Sequence, residues 1–311
     1  MNLEEEERFG YLVTKQTKKL WSVQLELLSE LQRVCNLLKL RVFASGGTLL
    51  GGVRHKGFIP WDDDIDVIMF RKDYEILLKE APGLLNEGFF LQSTYSDKIV
   101  RSHAQLRKSG TTCFLKEDYR ARYHRGIFID IFIYDKIPED ENERFFFKQE
   151  VMNKWKRIKK PCFVRSNRHS KIVVAFYNCL VIFPKLALWH ITNVLFGGIR
   201  KRFAKFEKLC GKYNNTNTKY VSNVSFRGIN PKTQLLPFKL EWFDDPSSIK
   251  FEDYKLLGPS DYDSYLTLQY GNYNAYVVGT SFHGYLFYDT DKNYSDYDKL
   301  SYNEFCDLFK N

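Results

Sequence analysis

Asp64 and Asp66 flank Ile65 at the head of the run Asp64-Ile65-Asp66-Val67-Ile68-Met69-Phe70, whose β-branched and apolar content reads as a strand. Side chains alternate across a strand, so carboxylates two residues apart point to one face. Two like charges held side by side repel unless a cation bridges them, and a hard divalent ion such as Mg²⁺ or Mn²⁺ takes oxygen ligands of this kind. Asp130 stands within Gly126–Ile133, a nearly continuous apolar run of the kind found in central strands covered on both faces. An ionised carboxylate alone there is costly, and its simplest partner is the same metal pair, reached from a neighbouring strand. Upstream, Gly46-Gly47 would let a phosphate approach the backbone closely. An isolated Asp-x-Asp more often marks a turn or a solvated edge, and Asp130 alone reads as a paired core carboxylate. The combination points to metal-assisted phosphate chemistry.

These groups need elements to hold them. Residues 14–40 carry Leu20, Leu27, Leu31, Val34 and Leu38 at helical spacing. Residues 41–45 read as a strand that meets the glycine pair in a tight turn, and residues 48–53 as a short helix with Thr48 as its cap. Pro60-Trp61-Asp62-Asp63 leads into the acidic strand, and helix-like sequence follows over 72–79. The expected fold is α+β, a mixed sheet core flanked by helices with a basic helical insert. Its expected divisions are a catalytic core over 1–145, the insert over 146–213 and a Tyr-rich part over 214–311 that completes the catalytic domain.

Composition narrows the function. In 311 residues, 44% hydrophobic and 16% aromatic content supports a sizeable core and excludes wholesale disorder. Cys35, Cys113, Cys162, Cys179, Cys210 and Cys306 are scattered singly, as buried thiols of a reducing compartment are. Met1–Gly10 is acidic and polar, unlike a signal peptide or anchor. Between Lys148 and Lys212, 16 Lys+Arg face two acids, so this stretch is +14 in a chain of +9 and the rest is −5. Such asymmetry argues for a local anionic partner and against general nucleic-acid binding. Within it, the apolar runs 172–184 and 186–199 are each shorter than the roughly 20 residues a bilayer crossing needs. With their basic flanks they read either as interfacial helices on an anionic membrane surface or as a buried hairpin.

The segment from Gly46-Gly47-Thr48 through Arg54-His55-Lys56-Gly57-Phe58-Ile59-Pro60-Trp61 to Asp62-Asp63-Asp64-Ile65-Asp66-Val67 closely resembles the signature of the LicD family. The resemblance continues in Arg71-Lys72-Asp73-Tyr74, in Gly126–Phe132, in Asp261–Leu266 and in Tyr270-Gly271-Asn272-Tyr273. It implies a nucleotidyltransferase-like fold related to fukutin and fukutin-related protein. It also implies phosphocholine transfer from CDP-choline to a sugar hydroxyl of a cell-surface glycan precursor of teichoic acid or lipopolysaccharide type, carried on a polyprenyl lipid. By that correspondence Asp64, Asp66 and Asp130 are the catalytic metal ligands for Mg²⁺ or Mn²⁺, two ions in all, with Asp62 in support.

Gly46, Gly47, Thr48, Arg54, Lys56 and Arg107 are the expected donor-phosphate contacts, and an ordinary solvated basic loop is the plain alternative for the cations. A choline donor calls for an aromatic cage; Trp61, Tyr262, Tyr265, Tyr270 and Tyr285 are available, and His283 lies near a family position. Glycerol or ribitol phosphate from a CDP donor, a metal-dependent glycosyltransferase, nucleotidyl transfer releasing pyrophosphate and a metal-free binding module are the competing readings. The expected location is cytoplasmic, with peripheral attachment at the inner face of the membrane.

Overall fold

The computed structural model describes residues 1–158, 171–195, 197–225, 235–278 and 286–309. Its strands are β1 (Glu6–Arg8), β2 (Tyr11–Val13), β3 (Phe43–Ala44), β4 (Asp66–Phe70), β5 (Phe89–Gln92), β6 (Ala104–Lys108), β7 (Thr112–Phe114), β8 (Phe128–Ile137), β9 (Tyr220–Ser222), β10 (Phe238–Lys239), β11 (Ser247–Phe251), β12 (Tyr254–Gly258) and β13 (Phe287–Asp289). The helices are α1 (Lys15–Leu38), α2 (Gly46–Arg54), α3 (Arg71–Glu80), α4 (Glu141–Ile158), α5 (Lys171–Tyr177), α6 (Phe183–Leu195), α7 (Gly198–Cys210), α8 (Tyr262–Tyr270) and α9 (Tyr302–Asp307).

One mixed sheet runs in the order β10-β9-β8-β4-β3-β12-β11, with β6 also on β8 and β5 on β6. Thus β8 is central: its first half pairs with β6, its last three residues pair with β9, and β4 lies parallel along its other edge. Ile127, Ile129, Ile131 and Ile133 of this segment are at most 1% exposed, as the apolar run requires. Burying each such side chain contributes about 1.5–3 kcal/mol. The fold is α+β.

Local chemistry explains most boundaries. Thr14 caps α1 by accepting from the Thr17 N–H, and the helix stops at Lys39, whose φ of 56° is left-handed. The strand expected over 41–45 pairs only at Phe43 and Ala44, because the chain turns into α2 immediately afterwards. Thr48 is not the cap of α2: the helix begins at Gly46, and the Thr48 hydroxyl instead accepts the Asp66 N–H at 2.8 Å.

α4 and α7 pack through Trp155, Phe203 and Phe206 into a second core that includes Ile137 at the end of β8. The tie to the main sheet is ionic. Arg71, opening α3, donates to both carboxylate oxygens of Asp135 on β8, at 2.9 and 2.6 Å, and to Glu207 on α7 at 3.3 Å. Between α5 and α6 the chain does not break. The two apolar runs join as one helix over 171–195, with a π-turn at Asn178–Ile182 where Phe183 donates to Asn178. Pro184 has no N–H and its ring crowds the carbonyl of Leu180; the widened turn accommodates both.

Asp135 is 1% exposed, so removing its cation strands a buried charge. Arg71→Met is expected to lower unfolding free energy by about 3–5 kcal/mol in urea denaturation; a loss below about 1 kcal/mol, the scale of a surface pair, would mean that the tie is ornamental.

Candidate active site

Parallel pairing of β4 and β8 sets Asp66 directly opposite Asp130. Neighbouring strands lie about 4.8 Å apart, so two carboxylates meet on adjacent strands at the end of the sheet where β4 begins. Asp64 lies before the first paired residue of β4, yet the alternation already holds: Ile65 and Val67 are buried while Asp64 and Asp66 are partly exposed. The Ile65 carbonyl accepts the Asp130 N–H at 2.9 Å, which anchors that lead-in segment to β8.

Asp62, Asp63 and Asp64 bring carboxylate oxygens within 4.8 Å of one another. Asp64 therefore clusters with its sequence neighbours, and Asp66 is matched with Asp130. The acidic loop is pinned from beneath by α1, where Trp21 Nε1 donates to the Asp62 carbonyl at 3.0 Å and Gln24 Nε2 to the Asp63 carbonyl at 2.8 Å. Both side chains are buried, and Trp21 stacks on Phe58 at 4.5 Å. Sequence reasoning passed over this pair; a Gln on the buried face of an amphipathic helix was the available signal.

The glycine pair faces the same acids. Gly46 has a φ of +54°, a conformation that favours glycine, and a Cβ there would lie 3.1 Å from Asp66 Oδ2. At Gly47 a Cβ would lie 2.3 Å from Asp62 Oδ2, closer than van der Waals contact permits. The first turn of α2, with its outward N–H groups, thus opens beside Asp62 and Asp66. Ser45, just before it, donates its N–H to the Asp66 carbonyl at 3.1 Å.

Asp130 is held by side-chain hydrogen bonds from two neighbours. Its Oδ1 receives hydrogen bonds from His103 Nε2 at 2.9 Å and Gln105 Nε2 at 2.7 Å. Burial pushes its pKa up, but His103, the charge of Arg101 and the Gln105 bond outweigh it and hold the carboxyl below its ordinary value. Arg107 lies behind these groups. It is 3% exposed and donates to Gln92 at 2.6 Å, to the Gly126 carbonyl at 2.6 Å and to Gln105 Oε1. Its guanidinium is spent on the protein, so it reaches the site only by orienting Gln105, and burial lowers its pKa to about 10. His103 and Gln105, unassigned in the sequence, are the groups that touch Asp130.

Around the rim, Arg54 donates to the Tyr273 and Ala275 carbonyls and lies 4.6 Å over the Tyr276 ring. Trp61 meets Tyr11 at 5.8 Å, His55 at 6.3 Å and Tyr276 at 6.4 Å, an aromatic wall next to the acidic loop. The Tyr270 hydroxyl would be 3.8 Å from a Cβ at Gly46, and burial with the nearby Asp66, Asp62 and Asp64 charges raises its pKa. Tyr265 is fully buried, stacked on Phe238 and bonded to Tyr134 at 2.6 Å and Ser45 at 3.3 Å, so it braces α2 and cannot line a ligand pocket. Tyr262 packs against the core, and Lys56 is exposed with its ammonium on the Val53 carbonyl. His283 and Tyr285 lie outside the described residues.

The nucleotidyltransferase-domain model of the LicD/FKTN/FKRP family matches residues 39–163. Residues 39–163 are a LicD-family domain. The glycine pair, the acidic loop, Asp66 and Asp130 all lie within it, while α1 and strands β9 to β12 extend the structure on either side. Over 254 residues the chain is 28% identical to the lipopolysaccharide cholinephosphotransferase LicD of Haemophilus influenzae, covering 81% of this chain and 88% of that protein. An uncharacterised Rickettsia prowazekii protein is 29% identical over 126 residues, 40% of this chain and 42% of its own length. An uncharacterised Caenorhabditis elegans protein is 37% identical over 84 residues, 27% of this chain and 20% of its own.

His55, at the aromatic rim, has its pKa lowered from 6.5 to about 4 by burial and by Arg54 and Arg8. It is neutral in both folded and unfolded chains above 6.5, so its unfavourable protonation costs stability only as pH falls from 6.5 towards 4. His55→Gln is expected to flatten the acid-side fall of the melting temperature across that window. An unchanged pH profile would show that this imidazole is not held neutral.

Proposed function

We propose that the protein transfers phosphocholine from CDP-choline to a sugar hydroxyl of a lipid-carried, cell-surface glycan precursor, releasing CMP. The observation that carries this reading is the opposition of Asp66 and Asp130 across paired strands, with the glycine turn of α2 and Asp62 beside them. The relation to a lipopolysaccharide cholinephosphotransferase supports transferase activity and choline phosphate as the transferred group. The wall of Trp61, Tyr11 and Tyr276 beside the acids supports a quaternary ammonium.

The donor set consists of carboxylate oxygens at one sheet end, which suits hard divalent cations. Asp64 and Asp66, with Asp62 in support and Asp130 facing them, would hold Mg²⁺ or Mn²⁺. Bound there, such ions neutralise a diphosphate and stabilise charge on the attacking and leaving oxygens of an in-line displacement. The chain's own residues do the rest. Gly46 and Gly47 let the diphosphate approach the α2 N–H groups, where a larger side chain would displace the acids. Arg54 and the exposed Lys56 would bind the donor's phosphates by exchanging their present carbonyl bonds for them. Asp130 accepts the proton of the attacking hydroxyl, and the hydrogen bond from His103 orients its carboxylate for that role. An acceptor oxygen–phosphorus bond forms on the choline-side phosphorus as its bond to the CMP oxygen breaks.

Asp66→Asn and Asp130→Asn are each expected to lower kcat by about 10²- to 10³-fold while the protein stays folded, the scale seen when a group stabilising developing charge is removed. Gly47→Ala should weaken Mn²⁺ binding by about ten- to a hundredfold in calorimetric titration, as losses of groups that orient metal ligands do. The assignment itself is tested by supplying Mg²⁺, a glycan acceptor and CDP-choline, CDP-glycerol or CDP-ribitol. CMP released from CDP-choline alone is the expected result; CMP from another donor alone, or pyrophosphate, would overturn it.

A further inference from the structure

The helix over 171–195 stands outside every core of the protein. Its apolar stretch Ile172–Leu195 is 24 residues long, and Ile182 is the one buried residue in it. Ile172 and Val194, near its ends, are 81% and 80% exposed, and Phe176, Leu180, Leu188 and Ile191 between them are also exposed. Water-exposed apolar area of this extent, continuous along one element, requires a covering partner. The stretch contains no acid, and Lys185 is its one fixed charge.

Beneath the helix lies a groove of about 600 Å³ lined by Lys154, Lys156, Arg157, Lys185, Arg202 and Lys205, with Trp189 among them and no carboxylate. Apolar side chains above a field of cations complement one occupant best: hydrocarbon beneath a negatively charged headgroup layer. A protein partner would have to bring an apolar groove and an acidic rim together, whereas an anionic bilayer offers both everywhere on its surface.

Chain geometry decides whether the helix crosses or lies flat. α4 ends at Ile158 and α7 begins at Gly198, and the two pack together with Trp155 and Phe206 rings 5.1 Å apart. Trp189 Nε1 donates to the Ile158 carbonyl at 2.9 Å, so the second half of the helix is held to that same body. If the helix crossed, residues 159–170 would have to recross the hydrocarbon. They are fewer than the roughly 20 a helical crossing needs, and they include Lys159, Lys160, Arg165 and Arg168. Non-helical backbone exposed to lipid leaves its polar groups unsatisfied. The excursion must leave and return on one side.

We propose that this helix and the basic groove under it dock on the surface of an anionic lipid bilayer, with the helix lying in the interfacial plane. The proposal stands apart from the donor chemistry, and its failure would leave that reading intact.

Flotation of the full-length protein with vesicles tests it, comparing pure phosphatidylcholine with an equimolar mixture of phosphatidylcholine and phosphatidylglycerol. Recovery with the anionic vesicles and little with the neutral ones is expected. Phe176→Asp, Leu180→Asp and Leu188→Asp combined should abolish recovery with the circular dichroism melt unchanged, since all three side chains are exposed. Lys154→Gln with Lys205→Gln should reduce recovery and its salt dependence. Cysteines placed at the polar positions that flank the apolar stretch, Lys171 and Lys201, in a background free of other reactive thiols, should both react with an impermeant maleimide added outside. Failure of the intact protein to float, equal recovery of the triple variant, or labelling at one end alone would overturn the proposal.

Discussion

Everything near the site depends on the parallel register of β4 and β8. Aligning Ile68 with Phe132 and Met69 with Ile133 buries the apolar middle of both strands, and the same alignment forces Asp66 to face Asp130. Like charges opposed across a sheet are destabilising. The two effects cannot be separated, because a slip of one residue would turn the apolar set to the wrong face. The surroundings read as compensation: His103, just before β6, and Gln105 on β6 bond Asp130, and the first turn of α2 lies against the Asp66 and Asp62 carboxylates.

A second layer holds these groups still. Tyr134 and Tyr265 bond each other and Ser45 in the core, fixing where α2 starts. α1 grips the main chain of the acidic loop through Trp21 and Gln24, so the carboxylates move with a helix that is itself locked by its buried face. Arg71 joins β8 to α7 and so couples the active-site sheet to the base of the apolar helix. That linkage would place catalysis at a fixed height above whatever surface the helix rests on.

Much of this was legible beforehand, where short-range pattern suffices. The alternation at Asp64-Ile65-Asp66 and the apolar run around Asp130 identified the site strands, and Thr14 and the Leu periodicity located α1 closely. Long-range partners were not. Nothing local tells that Arg107 spends its guanidinium on Gln92, Gly126 and Gln105, or that Tyr265 is sealed in the core while Tyr276 reaches Trp61. Lys185 divided the apolar stretch into two runs in the sequence; that one helix carries both past Lys185 and Pro184, through a π-turn, is not encoded by any one residue. Thr48 read as a cap for the same reason: its acceptor role depends on Asp66, 18 positions away in sequence.

The central claim is that two carboxylates are held in an arrangement only a bound cation makes comfortable. Thermal unfolding of the wild type and Asp66→Asn, each in chelator and in Mg²⁺, tests it most directly. Relief of repulsion should make Asp66→Asn melt higher than wild type in chelator, while Mg²⁺ should raise the wild type's melting temperature and leave the variant's unchanged. A variant that melts lower without metal, together with a wild type indifferent to Mg²⁺, would contradict the account.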